Sequence, residues 1–207
     1  MWMIKDGCFG IALTNSMVHL MNRLEPQYLA DLFLLSEVGL LIARRSRADA
    51  RSADFGSLRT LWIVIFVSIT AAMLCYFLVR SAHLQSLGRL APIGVALFVF
   101  GMFLRWYSIL YLERFFTVNI AVAADHQLVD TGPYRWIRHP SYAGLVLILL
   151  GLGLSCSNGL SLLLVSLPPL IVLRWRIMIE ESVLRAALGN AYVQYCARTK
   201  RLIPFIY

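Results

Sequence analysis

The longest uniform feature of this sequence is an uncharged apolar run. Residues 141–173 contain no Asp, Glu, Lys or Arg, so 33 consecutive residues carry no charged side chain. A single helix of that length would measure about 50 Å, whereas a helix needs to cross a hydrocarbon core of only about 30 Å. The sequence Ser-Cys-Ser-Asn-Gly at 155–159 supplies turn-forming residues in the middle of the run. The run therefore predicts a helical hairpin that contributes two membrane spans.

Three further apolar segments precede the hairpin, at 27–43, 61–79 and 90–112. The chain is 59% hydrophobic and only 14% charged, against about 25% charged residues in a typical soluble domain. We therefore predict an all-α, polytopic membrane helix bundle with about five transmembrane helices. Residues 1–25 are less apolar and are interrupted by polar groups, which favours a helix lying at the membrane interface.

The basic residues predict the orientation of the bundle. Five, three and six of the 19 Lys and Arg residues lie in 44–59, 113–140 and 174–207 respectively. The positive-inside rule places these three segments in the cytoplasm. The net charge of +8 thus indicates topology and contact with anionic membrane lipid rather than binding of nucleic acid. Arg105 interrupts the third span, and a lone arginine at such a position usually faces the protein interior.

A cationic and aromatic segment, residues 132–142 with the sequence GPYRWIRHPSY, leads into the hairpin. Its two prolines bias the residue before each of them away from helix, which predicts a structured, non-helical approach to the membrane. Such a segment is an interfacial anchor in one interpretation. In the other, it forms part of a functional site.

A second polar group follows the hairpin. Arg176 and Glu180 are four residues apart, so on a helix they project from one face. A structural ion pair is one interpretation, and a site for a zwitterionic cofactor is the other. Pro168 and Pro169 lie in the predicted fifth span and should kink it. The four cysteines are far apart and lack metal-ligand spacing, so we predict no metal site.

Two motifs and the end of the chain together resemble the isoprenylcysteine carboxyl methyltransferase family, over roughly residues 110–207. The residues that carry the resemblance are Gly132-Pro133-Tyr134 with Arg138-His139-Pro140-Ser141-Tyr142, then Arg176-x-x-x-Glu180-Glu181 with Leu184, Gly189, Tyr192 and Tyr195, and finally Pro204-Phe205-Ile206. Members of this family are membrane methyltransferases that use S-adenosylmethionine without a Rossmann domain. Related methyltransferases for phospholipids and small thiols share parts of the pattern.

The resemblance implies a cofactor pocket on the cytoplasmic side, beneath a lid formed by the C-terminal segment. It divides the chain into N-terminal helices (1–112, an interfacial helix and three spans) and a catalytic part (113–207). Arg176 matches the residue that faces the substrate carboxylate, as a catalytic and substrate-binding group. The implied cofactor contacts are Asn119, His126, Gln127, Leu128, Val129, Tyr134, His139, Pro140, Ser141, Tyr142 and Glu180.

The residue types are consistent with methylation of a carboxylate. A carboxylate acceptor is ionised at pH 7 and needs no general base, and an arginine fork can hold it through two hydrogen bonds. The expected partner is a lipophilic small molecule or a prenylated substrate, together with membrane lipid. The alternatives are N-methylation of a phospholipid amine, S-methylation of a small thiol, and a membrane scaffold without enzymatic activity.

Overall fold

The computed structural model describes residues 25–43, 56–79, 81, 83, 85–112 and 128–203, and it is helical throughout most of them. A short helical turn spans Gln85–Gly88, and a 3₁₀ turn spans Gly132–Arg135. The longer helices are α1 Pro26–Ala43, α2 Ser57–Leu78, α3 Ala91–Leu112, α4 Pro140–Ser155, α5 Gly159–Leu188 and α6 Asn190–Arg198. The predicted all-helical fold is confirmed.

Three of these helices, α2, α3 and α5, are long and apolar enough to cross a membrane. Helix α4 is equally apolar but has only 16 residues. The chain is therefore a multi-pass membrane protein, while the count of five spans stays a prediction. The predicted interfacial helix at 1–25 lies outside the described residues except for Glu25.

The predicted hairpin is present, with α4 ending at Ser155 and α5 beginning at Gly159. Asn158 caps α5 by accepting a hydrogen bond from the backbone of Ser161 at 3.0 Å, and its amide nitrogen donates to the Val79 carbonyl at 3.2 Å. The turn is thereby attached to the end of α2. Helix α5 continues without interruption through the two prolines and past residue 173, so the charged residues that follow the apolar run belong to the same helix.

Glycines bring α3 and α4 into backbone contact. A Cβ atom added to Gly151 would lie 2.5 Å from the Gly94 carbonyl oxygen, and one added to Gly101 would lie 2.7 Å from the Gly144 carbonyl oxygen. Membrane helices associate through such small residues because lipid supplies no hydrophobic drive for helix pairing. This close approach fixes the start of α4 against the last third of α3.

Polar side chains from four helices collect at one end of the bundle. Ser57 begins α2, Arg105 lies in α3, Tyr142 lies in the first turn of α4, and Arg176 lies in α5. Hydrogen bonds join Arg105 to the first turn of α4 and Arg176 to Ser57. Arg105 is buried and pairs with Glu37 of α1, which confirms that it faces the protein interior.

Candidate functional site

Residues 132–142 present two different faces. Trp136 is 55% exposed, and the guanidinium of Arg135 lies 5.6 Å from its ring centroid. This outer pair has the composition of an interfacial anchor. Tyr134 and His139 are buried instead. The outer face therefore fits the anchor interpretation, and the inner face contributes to the polar cluster.

The hydroxyl of Tyr142 lies between the two charged residues of α5. Arg176 donates to it from Nε at 2.9 Å, and the hydroxyl donates to Glu180 Oε2 at 2.8 Å. The ring of His139 stacks on the Tyr142 ring, with centroids 5.6 Å apart and an interplanar angle of 20°. His139 Nδ1 is 3.9 Å from Glu180 Oε1. Four of the predicted site residues therefore form one contiguous group.

Arg176 also reaches the beginning of α2. It donates from Nη1 to the Ser57 hydroxyl at 2.9 Å, and both side chains are buried. Ser57 follows Gly56, whose φ of 78° lies in the left-handed region that favours glycine. Ser57 was not among the sequence-predicted site residues, because no local pattern connects it with a residue more than one hundred positions later.

Tyr134 is held on the inner face by hydrogen bonds at both ends. Its hydroxyl donates to the Ser108 carbonyl at 3.2 Å, and its own carbonyl accepts from the Tyr195 hydroxyl at 2.7 Å. Burial, followed by the nearby Glu180 carboxylate, raises the pKa of the Tyr134 hydroxyl far above its usual range. Tyr134 therefore stays a neutral hydrogen-bond donor at physiological pH.

Glu181 lies at the centre of a second charged group, and it was not among the site residues predicted from the sequence. It is 3% exposed and accepts hydrogen bonds from Arg138 Nε at 2.9 Å and from Arg201 Nη2 at 2.9 Å. His139 Nε2 lies 3.5 Å from the same carboxylate. The two adjacent glutamates thus have different hydrogen-bond partners, since Glu180 accepts from Tyr142 and Glu181 accepts from the arginines, while His139 lies near both.

The C-terminal segment, residues 199–203, runs in an extended conformation beside the motif at residues 132–142. The backbone nitrogen of Arg138 donates to the Lys200 carbonyl at 2.7 Å, and that of His139 donates to the Arg201 carbonyl at 3.0 Å. Arg138 also bonds the Thr199 carbonyl through its side chain. The motif and the C-terminal segment therefore lie on the same end of the bundle, as the topology prediction requires.

Several predicted cofactor contacts lie outside the described residues or at their edge. Asn119, His126 and Gln127, like the ending at 204–207, lie outside the described residues, and Leu128 and Val129 are half-buried at the edge of them. Pro140 and Ser141 are buried in the first turn of α4 and directly precede Tyr142 in the sequence. The grouping of all eleven contacts around one cofactor remains a prediction.

The cluster offers groups suited to a polar, cationic ligand. Within the described residues, the Tyr192 hydroxyl is buried without a hydrogen-bond partner. An unsatisfied buried polar atom is costly, so this hydroxyl is available to a bound molecule. The partly exposed Glu180 carboxylate and the His139–Tyr142 stack add a negative charge and an aromatic surface. These features fit a polar ligand that carries positive charge.

Residues 94–186 match the model of the isoprenylcysteine carboxyl methyltransferase (ICMT) family. The protein-S-isoprenylcysteine O-methyltransferase of Tribolium castaneum is 34% identical over 125 residues, which are 59% of this chain and 44% of that protein. The protein-S-isoprenylcysteine O-methyltransferase B of Arabidopsis thaliana is 30% identical over 115 residues, which are 55% of this chain and 58% of that protein.

A solved structure of the eukaryotic intramembrane Ras methyltransferase ICMT is also similar. Its TM-score is 0.55 at 30% sequence identity, and the similarity covers 72% of this chain and 51% of that one. The chain thus spans about half the length of the relatives it matches. The family resemblance predicted from the sequence is confirmed, and it implies a methyl donor.

Proposed function

We propose that this chain, which shares the isoprenylcysteine carboxyl methyltransferase pattern over residues 94–186, is an integral membrane methyltransferase. It transfers a methyl group from S-adenosylmethionine to a lipophilic acceptor, of which the carboxylate of an isoprenylcysteine-type substrate is the first choice. The observation that carries this proposal is the hydrogen-bonded series Arg176–Tyr142–Glu180. It joins a group suited to an anionic acceptor with a group suited to a cationic cofactor.

The cofactor side of the site is the surface around Glu180. When bound, S-adenosylmethionine supplies a methyl carbon on a sulfonium, whose carbon–sulfur electron pair stays on sulfur as the acceptor bonds to that carbon. Glu180 would balance the positive charges of this molecule, and the His139–Tyr142 stack would pack against its flat portion. Pro140 and Ser141 would line the same corner, together with the segment 126–129 and Asn119.

The acceptor side of the site is the buried guanidinium of Arg176. The hydroxyls of Tyr142 and Ser57 orient this guanidinium through neutral oxygen atoms. A carboxylate acceptor forms stronger, charge-assisted hydrogen bonds with an arginine than a neutral hydroxyl does. It needs no proton removed, so orientation and exclusion of water supply the catalysis, and proximity alone accounts for up to about 7–11 kcal/mol in favourable systems.

We place the catalytic face in the cytoplasm, because Lys and Arg are concentrated in the segments that flank the polar cluster. We place the division between the N-terminal helices and the catalytic part near residue 112. In this arrangement the cofactor enters from water, and the prenylated or other lipophilic acceptor enters from the membrane. The C-terminal segment serves as the lid of the cofactor pocket.

The test is methyl transfer by the purified chain in lipid nanodiscs. Tritiated S-adenosylmethionine is supplied with a prenylcysteine, a phospholipid amine or a small thiol. We expect label in a base-labile ester of the prenylcysteine, and loss of turnover in Arg176→Lys, whose ammonium keeps the charge but not the planar fork. Label only in the amine or the thiol would assign those alternatives, and a chain that neither binds the cofactor nor transfers label would indicate a scaffold.

A further inference from the structure

A buried ion pair lies between α1 and α3. Arg105 donates to Glu37 through Nε and Nη2, the latter at 2.7 Å, and the two residues are 6% and 3% exposed. Glu37 precedes the segment that matches the family, whereas Arg105 lies within it. A charged pair inside a membrane bundle is costly to bury and marks a position with a function beyond packing.

The remaining nitrogen of Arg105 contacts α4. Nη1 donates to the Ser141 carbonyl at 3.3 Å, in the turn that follows the His139–Pro140 corner. This contact is possible because the backbones of α3 and α4 touch at this level. A Cβ atom added to Gly144 would lie 2.7 Å from the backbone nitrogen of Arg105. One guanidinium therefore joins α1, α3 and the first turn of α4.

The geometry of a guanidinium makes this junction directional. Its donors are fixed in one plane, so two bonds to Glu37 determine where the third nitrogen points. Ser141 is followed directly by Tyr142, whose hydroxyl contacts both Arg176 and Glu180. A change in the orientation of Arg105 is therefore transmitted through one peptide unit to the centre of the proposed site.

We propose that Arg105 is a positioning residue for the first turn of α4, and that Glu37 orients it. This inference rests on the proposed function only for the identity of the cofactor. Glu37 has a second role, because its negative charge balances a guanidinium near Arg176. The charge of Arg105 is thereby satisfied within the bundle by Glu37.

A neighbouring contact supplies a matched control. Trp106 Nε1 donates to the Ser36 hydroxyl at 2.7 Å, so it joins the same two helices one residue away from the ion pair. Its indole nitrogen has no connection with Ser141. Loss of the Trp106–Ser36 bond would weaken the α1–α3 contact without changing the start of α4, which separates positioning from simple attachment of helices.

The experiment compares Arg105→Lys, Glu37→Gln, the double variant Glu37→Gln/Arg105→Gln and Trp106→Phe in the full chain in nanodiscs. Three quantities are measured: hydrogen exchange of the backbone at 140–145, the dissociation constant of S-adenosylmethionine, and the thermal midpoint. The double variant contains no unpaired charge, so it is the folded reference if a single variant fails to fold. The shorter side chain at position 105 cannot bond position 37 and the Ser141 carbonyl at the same time.

We expect Arg105→Lys and the double variant to exchange faster at 140–145 and to bind the cofactor about tenfold more weakly, the size of losing one hydrogen bond to a charged group in the displaced turn. The dissociation constant of the cofactor for Trp106→Phe should stay within about twofold of the wild-type value, because this variant loses only one helix–helix hydrogen bond. Unchanged exchange and affinity in the folded double variant would overturn the inference and leave the pair as an attachment of α1. Failure of the wild type to methylate prenylcysteine would instead refute the proposed acceptor, and the exchange result would still decide the role of Arg105.

Discussion

Arg176 and Glu180 are one helical turn apart in α5, yet the hydroxyl of Tyr142 from α4 lies between them, accepting from Arg176 at 2.9 Å and donating to Glu180 at 2.8 Å. A hydroxyl can do both at once because it has one proton and two lone pairs. Tyr142 therefore keeps a positive and a negative group at a fixed separation, and its hydroxyl is the atom on which the proposed site depends.

Tyr142→Phe removes this hydroxyl and keeps the ring. Hydrogen bonds to charged groups contribute about 1.5–3 kcal/mol, so we expect kcat/KM to fall by roughly 10- to 100-fold. The ring still stacks on His139, so the thermal midpoint should change little. Tyr107→Phe is the control, because Tyr107 is exposed on the outer face of α3. Equal kinetics for Tyr142→Phe and the wild type would show that Arg176 and Glu180 act independently of this hydroxyl.

The hairpin and the family motifs were predictable because their signals are local. An uncharged run of 33 residues with turn-forming residues in its middle is too long for one membrane crossing, so it reverses direction at the turn. The positions of Tyr134, His139 and Tyr142 followed from a resemblance carried by consecutive residues. The structure added that two of the residues between Tyr134 and His139, namely Arg135 and Trp136, face outward.

Three central contacts were not predictable, because each joins distant parts of the chain. Glu37 and Arg105 were visible as charges in apolar segments, but sequence spacing does not reveal which buried charges pair. Ser57 carries no motif at all. Glu181 lies on a different side of α5 from Arg176 in a simple helical projection, and its role depends on Arg201, which reaches it only because the C-terminal segment returns to the motif.

The close packing of α3 against α4 can be tested by a glycine-to-alanine substitution, which adds one methyl group at the contact. Gly151→Ala would place a Cβ atom 2.5 Å from both the Gly94 carbonyl oxygen and the Phe98 nitrogen. Both contacts are backbone atoms that cannot move aside, so we expect a loss of about 1–3 kcal/mol in stability. Gly39→Ala is the matched control, since a Cβ atom there meets nothing within 4 Å. A thermal midpoint for Gly151→Ala at or above that of Gly39→Ala would contradict this packing.

The orientation is tested by labelling single cysteines in a chain whose native cysteines are replaced. Arg59 and Lys200 are exposed at the end of the bundle that contains the polar cluster, and Arg89 is exposed near the other end. The distribution of basic residues predicts that the first two positions face the cytoplasm. A membrane-impermeant maleimide added outside intact cells should label only the cysteine at position 89. Labelling at position 59 or 200 would reverse the assignment.

The two adjacent glutamates of α5 should differ in their effect on the C-terminal segment when each is changed to glutamine. Glu181 accepts from Arg138 and Arg201 and holds the C-terminal segment against the motif, whereas Glu180 accepts from Tyr142. The His139 ring lies near both carboxylates. Glu181→Gln removes the charge that both arginines share, and loss of one partner from a buried charge network costs about 3–5 kcal/mol. We therefore expect faster hydrogen exchange and proteolysis at 199–203, with weaker cofactor binding as a consequence of the released segment.

Glu180→Gln should leave that segment protected, because its carboxylate takes no part in the contacts with Arg138 and Arg201. It should still weaken binding of S-adenosylmethionine, since a neutral amide does not balance a cationic ligand. The pair of variants thus separates closure of the C-terminal segment from direct cofactor contact by comparing exchange at 199–203 with the dissociation constant. Equal protection of residues 199–203 in both variants would mean that the backbone bonds of Arg138 and His139 to Lys200 and Arg201 hold the segment without help from Glu181.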